Sequence, residues 1–302
     1  MNPSVPEPRS FTLCAADGYP LQAIHYAPAS EPAACLIIAG ATGVAQRFYS
    51  RFAQFAAAQG IAVWTLDYRG IGLSRPASLR GFRMDYRDWA RLDLAALLDH
   101  VAAQADTPVW MVGHSYGGHA LGLMPGHERV QRLATFATGA GWHGWMPPLE
   151  RLRVLFLWRV LGPLILRTQG YLAWSLLGMG EDLPRDVFIQ WRRWCQWPSY
   201  FFEDPELPQL AGQFAQVRTP MLAINASDDK WAPPASRDAF MAAYSGAQVQ
   251  TITVDPASLG IASIGHMDYF RPQAALLWQQ TLDWLRQPQV SSFSADVGQM
   301  GA

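Results

Sequence analysis

Three apolar runs of strand length, interrupted only by Thr65 in the second and each followed by a stretch of helical spacing, constrain this chain more than anything else in it. They are Ala34 to Ala39, Ile61 to Leu66 and Val109 to Val112. A strand apolar at every position is buried on both faces, and parallel strands need a crossover between them, so the pattern implies a parallel sheet with helices on either side. The intervening segments agree: Phe48, Phe52, Phe55 and Ala56 share one helical face, and Asp88 to Ala103 repeats Trp89, Leu92, Leu94, Ala95, Leu98 and Val101 at helical spacing. Further strands are expected at Leu133 to Thr138, Met221 to Asn225 and Val249 to Val254, with helices over 234–244 and 271–286. The first 30 residues read instead as a hairpin, Ser10 to Ala16 and Tyr19 to Tyr26, turned at Asp17-Gly18. The fold class is α/β.

The alternation stops between Gly141 and Ala211. Seven of the 13 tryptophans lie there (Trp142, Trp145, Trp158, Trp174, Trp191, Trp194 and Trp197), along with several helix-breaking prolines. A mostly helical insertion at 141–211 is therefore expected, dividing a core domain at 1–140 and 212–287. The polar residues 288–302 are expected to be disordered.

Length and charge narrow the function. A chain of 302 residues suits one large α/β unit with an insertion. A net charge of −1 and pI near 6.6 give no overall attraction to nucleic acid or an anionic membrane. Cys14, Cys35 and Cys195 are odd in number and far apart, which fits neither a disulfide framework nor a metal site. The N-terminus lacks the features of a signal peptide, and the longest apolar run, Val154 to Leu166, is broken by Arg159, Gly162 and Pro163. No membrane span is expected, and the cytoplasm is the default location.

Gly113-His114-Ser115-Tyr116-Gly117 follows a buried strand and precedes a helix-like stretch, His119 to Met124. A strand-to-helix turn this sharp needs small residues two before and two after the serine, and it leaves the serine oxygen exposed. The serine also stands at a helix N-terminus, where backbone N–H groups stabilise an anion. Such a nucleophile needs a base. Of seven histidines, His266 stands out, behind Gly265 in a loop after the last expected strand. His114 should point away on so tight a turn, His119 should pack beneath the serine, and His143 could line the pocket. The acid should follow Met221 to Asn225, where Asp228 and Asp229 are adjacent and the residues alone leave both open.

From the first hairpin to the last helix, the chain resembles the α/β-hydrolase superfamily. The elbow matches it, as do Asp67-Tyr68-Arg69-Gly70-Ile71-Gly72-Leu73-Ser74 and Ile264-Gly265-His266-Met267. The combination is similar to a bacterial subgroup of serine-aminopeptidase-like hydrolases. The resemblance implies a mostly parallel eight-stranded sheet with helices on both faces and a helical cap. It selects Asp229 as the acid, three after Ala226 and four before Pro233. It also implies oxyanion donors at the N–H groups of Ala41 and Tyr116, with the Thr42 hydroxyl as helper. The usual His-Gly before that loop is replaced by Ala39-Gly40.

The activity implied is a serine hydrolase acting on small to medium apolar carboxylic esters through an acyl-enzyme on Ser115, with Asp229 and His266 completing the triad. Thr42, His143 and Trp145 are the expected pocket residues. No metal or organic cofactor is implied, and the partner is a small-molecule ester, with a homodimer left open. An acyltransferase with the same triad and a non-catalytic ligand-binding homologue are the alternatives.

Overall fold

The apolar runs become the centre of an eight-stranded sheet. The structure, a computed structural model, describes residues 6–104 and 106–288; the tail expected to be disordered lies outside them except for Pro288. The strands are β1 (Arg9–Cys14), β2 (Pro20–Tyr26), β3 (Ala34–Ala39), β4 (Ile61–Leu66), β5 (Val109–His114), β6 (Val130–Phe136), β7 (Met221–Ala226) and β8 (Val249–Val254). Their spatial order is β1-β2-β4-β3-β5-β6-β7-β8. β1 and β2 form the hairpin and β2 pairs antiparallel with β4; every other pairing is parallel. All residues of β3, β4, β5 and β7 are buried, as continuous apolar runs require.

Two boundaries differ from expectation for identifiable reasons. β6 ends at Phe136 because Ala137 takes a positive φ of 54°, a conformation that does not continue a strand. The helix after Ser115 covers only Tyr116–His119 and passes into a 3₁₀ turn, Leu121–Leu123. Gly117, Gly118 and Gly122 make this stretch a poor helix former, and Pro125 follows.

Between β6 and β7 the chain runs through helices Pro148–Phe156, Gly162–Gln169 and Arg185–Trp194. Among the described residues its only β pairing is an isolated bridge, Leu172 to Leu183. This segment shares one apolar core with the sheet: Val154, Trp158, Leu172 and Trp194 join Tyr86, Trp89 and Tyr116. The Tyr86 ring stacks on Trp194 with centroids 5.2 Å apart. No helix among the described residues is long and apolar enough to cross a membrane. None of their His, Cys, Asp and Glu side chains form a group of three or more that could hold a metal.

Candidate active site

Ser115 sits where β5 becomes a helix, at φ 51° and ψ −109°. This region is strained for a residue with a Cβ and survives only where its surroundings enforce it. The enforcement is visible. Ser115 N–H donates to Phe136 O (2.8 Å) and Thr138 Oγ1 donates to Ser115 O (3.0 Å). A Cβ on Gly113 would lie 2.5 Å from Gly118 N, and one on Gly117 would overlap Ala39 O. The turn closes only with glycine at both positions.

His266 Nε2 lies 3.1 Å from Ser115 Oγ, and His266 Nδ1 lies 2.9 and 3.1 Å from the two carboxylate oxygens of Asp229. Asp229 also accepts from the N–H groups of Trp231 and Ala232, both at 2.9 Å. Burial pushes its carboxyl upward, but the His266 charge, the His266 hydrogen bond and these two N–H groups outweigh burial and hold it below the usual carboxylate value. Asp228 does something different. Its oxygens accept from Ile264 N–H and Gly265 N–H, each at 3.0 Å, clamping the loop that presents His266. The two adjacent aspartates thus serve one histidine, Asp229 through its ring and Asp228 through its backbone.

His114 points away from Ser115 Oγ, but it is no filler. Its Nε2 lies 2.8 Å from His266 O, a carbonyl that can only accept, so this nitrogen carries the proton and Nδ1 is the acceptor. Nδ1 receives the Tyr49 hydroxyl (3.0 Å), and that hydroxyl accepts the Ala41 N–H (2.7 Å). A buried chain therefore joins the loop after β3 to the backbone of His266. It also corrects the oxyanion expectation: Ala41 N–H is already engaged by Tyr49. The next N–H, that of Thr42, has no acceptor among the described residues, and its hydroxyl meets Tyr86 Oη.

Ser115 and His266 open into a cavity of about 370 Å³. Ala41, Thr42 and His119 form part of its wall from the sheet side, and Trp174, Trp191, Tyr200 and Trp231 complete much of the rest. No Asp, Glu, Lys or Arg lines it. Two expected pocket residues are absent. His143 lines a separate recess with Trp158 and Arg192. Trp145 is pinned by its Nε1 donating to Pro198 O at 3.1 Å. Trp231 and Met267 could have been found from the sequence, since Trp231 lies two residues after Asp229 and Met267 adjoins His266. Trp174, Trp191 and Tyr200 give no local signal.

Burial lowers the pKa of His114 to about 3 and of His119 to about 4, so both stay neutral beside His266. In the unfolded chain each titrates near 6.5. Below that value the unfolded state takes up protons that the folded state refuses, so stability is complete above pH 6.5 and falls as pH drops toward 4. By pH 4 the loss is expected to be on the order of 3 kcal/mol per histidine. Urea denaturation across this range checks it: His119→Gln should flatten the fall, and an unchanged slope would contradict it.

The sequence comparison matches residues 35–277 to a family model described as "Alpha/beta hydrolase family". No curated protein matches the chain. Among solved structures, the esterase domain of a Rhodothermus marinus protein aligns with TM-score 0.56 and 17% identity, over 93% of this chain and 98% of that one. A cold-adapted esterase from an Arctic intertidal metagenomic library aligns with TM-score 0.55 and 15% identity, over 92% of each chain. The Pyrococcus horikoshii acylaminoacyl peptidase aligns with TM-score 0.58 and 13% identity, over 93% of this chain and 42% of that one. At these identities the likeness is one of fold, and the family match covers most of the sequence. The chain belongs to the α/β-hydrolase family.

Proposed function

We propose that this hydrolase cleaves carboxylic esters of small to medium apolar substrates through an acyl-enzyme on Ser115. The observation that carries the reading is the continuous hydrogen-bonded row from Asp229 through His266 to Ser115 Oγ, opening into an uncharged, tryptophan-walled cavity. Ser115 Oγ attacks the ester carbonyl while His266 Nε2 takes its proton. Asp229 keeps Nδ1 protonated and stabilises the imidazolium. The carbonyl oxygen becomes an oxyanion held by Tyr116 N–H, a first-turn group with no partner in its own helix. Thr42 N–H takes the second place, since Ala41 N–H is occupied. His266 then returns its proton to the departing alkoxide, and water repeats the cycle on the acyl-enzyme.

The segment between β6 and β7 acts as a cap on this reading, with Trp174, Trp191 and Tyr200 forming its share of the substrate wall. A wall without acidic side chains gives a peptide amino group nothing to pair with, which favours esters over peptides. The volume suits a small molecule, near the lower end of the roughly 300–1,000 Å³ of ligand pockets.

A panel of p-nitrophenyl esters from acetate to palmitate tests this, with kcat/KM expected to peak at short to medium chains. Trp191→Ala, which enlarges the cavity, should move the ratio of long- to short-chain kcat/KM upward by about tenfold. Turnover of peptide amides with no ester turnover would overturn the ester reading. An unchanged chain-length profile in folded Trp191→Ala would remove Trp191 from the substrate wall.

A further inference from the structure

Pro148–Phe156, the π turn Leu157–Leu161 and Gly162–Gln169 run end to end along the outside of the cap. On their inner side Val154, Leu157 and Trp158 are buried. On the outer side Leu149, Leu152, Phe156, Val160 and Leu164 recur every three or four positions, the spacing of one helical face. Each is 51–65% exposed. Single exposed apolar residues are ordinary, but five large ones in a row mark a surface that meets something.

The charges around the stripe say what. Residues 148–169 hold Arg151, Arg153, Arg159 and Arg167, all exposed, against a single acid, Glu150. Glu150 faces inward, accepting from Trp231 Nε1 at 3.0 Å, and lies 3.5 Å from Arg153. The net charge of −1 for the whole chain conceals this local excess of cations.

We propose that this stripe is the face by which the cap docks on an anionic lipid surface, and that the active site draws amphiphilic esters from it; the second clause rests on the ester reading. An apolar ridge bordered by arginines matches such a surface in both respects, with side chains entering the acyl boundary while guanidinium groups meet the anionic headgroups. A second copy matches it less well. A two-fold axis lays the stripe on itself and brings the same arginines together.

The stripe is one layer from the chemistry. Trp158, on its inner side, packs edge-on against Trp191 with centroids 4.8 Å apart, and Trp191 is cavity wall. Glu150, at the other end of the contact, holds the wall residue Trp231.

Co-sedimentation with vesicles tests the proposal, using phosphatidylcholine alone and an equal mixture of phosphatidylcholine and phosphatidylglycerol. The wild type should bind the mixed vesicles, leave them in high salt, and ignore phosphatidylcholine alone. The doubly substituted variants Leu152→Ser/Phe156→Ser and Arg159→Gln/Arg167→Gln should each weaken binding by roughly tenfold or more. Both should keep wild-type thermal stability and hydrolysis of water-soluble p-nitrophenyl butyrate. Failure of the wild type to bind the mixed vesicles, or equal binding to both kinds, overturns the proposal. If the wild type is instead a dimer by light scattering that Leu152→Ser/Phe156→Ser dissociates, without vesicle binding, the stripe is an interface between copies. Vesicle binding by a protein that turns over no ester leaves the docking face standing and sinks the ester reading.

Discussion

Replacing Ser115 by alanine is expected to lower ester-hydrolysis kcat by about 10⁵–10⁶, the scale of losses when a serine hydrolase loses its nucleophile. The side chain makes a single hydrogen bond, to His266, and the alanine keeps the Cβ already accommodated at φ 51°. Folding should therefore be untouched, and the thermal transition serves as the control. Labelling by fluorophosphonates should vanish with the activity. Near-wild-type turnover in a folded Ser115→Ala protein would remove Ser115 from the mechanism, whatever its distance from His266.

The second large effect separates the two aspartates. Asp229→Asn preserves shape but places an amide against His266 Nδ1, favouring the tautomer that puts the proton on the wrong nitrogen. A loss of about 10⁴ in kcat is expected, as for the same change in the best-studied triad. Asp228→Asn acts through the loop. Its carboxylate receives two backbone N–H groups, from Ile264 and Gly265, whereas an amide can accept only through its one oxygen. One N–H is left facing another donor, the loop shifts, and His266 moves with it. Small misplacements of a catalytic group cost rate steeply, and a loss of about tenfold is expected here. Steady-state kinetics on the preferred p-nitrophenyl ester reads both. Reversed magnitudes would make Asp228 the acid, and two negligible effects would leave His266 without a carboxylate partner.

Much of the sheet was legible because its central strands are buried on both faces and so are written as nearly unbroken apolar runs. β3 and β4 begin and end where those runs do. β6 begins three residues earlier than expected and ends two residues sooner, the latter because its end depends on the backbone conformation of Ala137, which no side-chain pattern announces. The elbow was legible for the opposite reason: its geometry excludes side chains at Gly113 and Gly117, and steric exclusion leaves a mark in the residue types themselves.

The part of the cavity wall that comes from the segment between β6 and β7 was not legible. His143 and Trp145 were expected there because they open the tryptophan-rich segment, and both lie elsewhere. Apolar aromatic residues serve equally well as packing and as cavity lining, so composition cannot sort them. The sorting comes from how the helices seat on the sheet, which puts Trp174 and Trp191 against the cavity and Trp158 behind them.

By itself, then, the sequence determined the alternating α/β order, the sharp turn at Ser115 and the short set of residues able to act with it, because each is enforced by local sterics or by burial along a single element. The tertiary structure decided what the residues alone left open: which aspartate faces the ring of His266, that Tyr49 takes the Ala41 N–H, and which tryptophans line the cavity. The His266 contacts join residues 37 and 151 positions apart and exist only once the loops after β5, β7 and β8 meet at one edge of the sheet; even the Ala41–Tyr49 bond, eight positions apart, depends on how the segment after β3 folds back on itself.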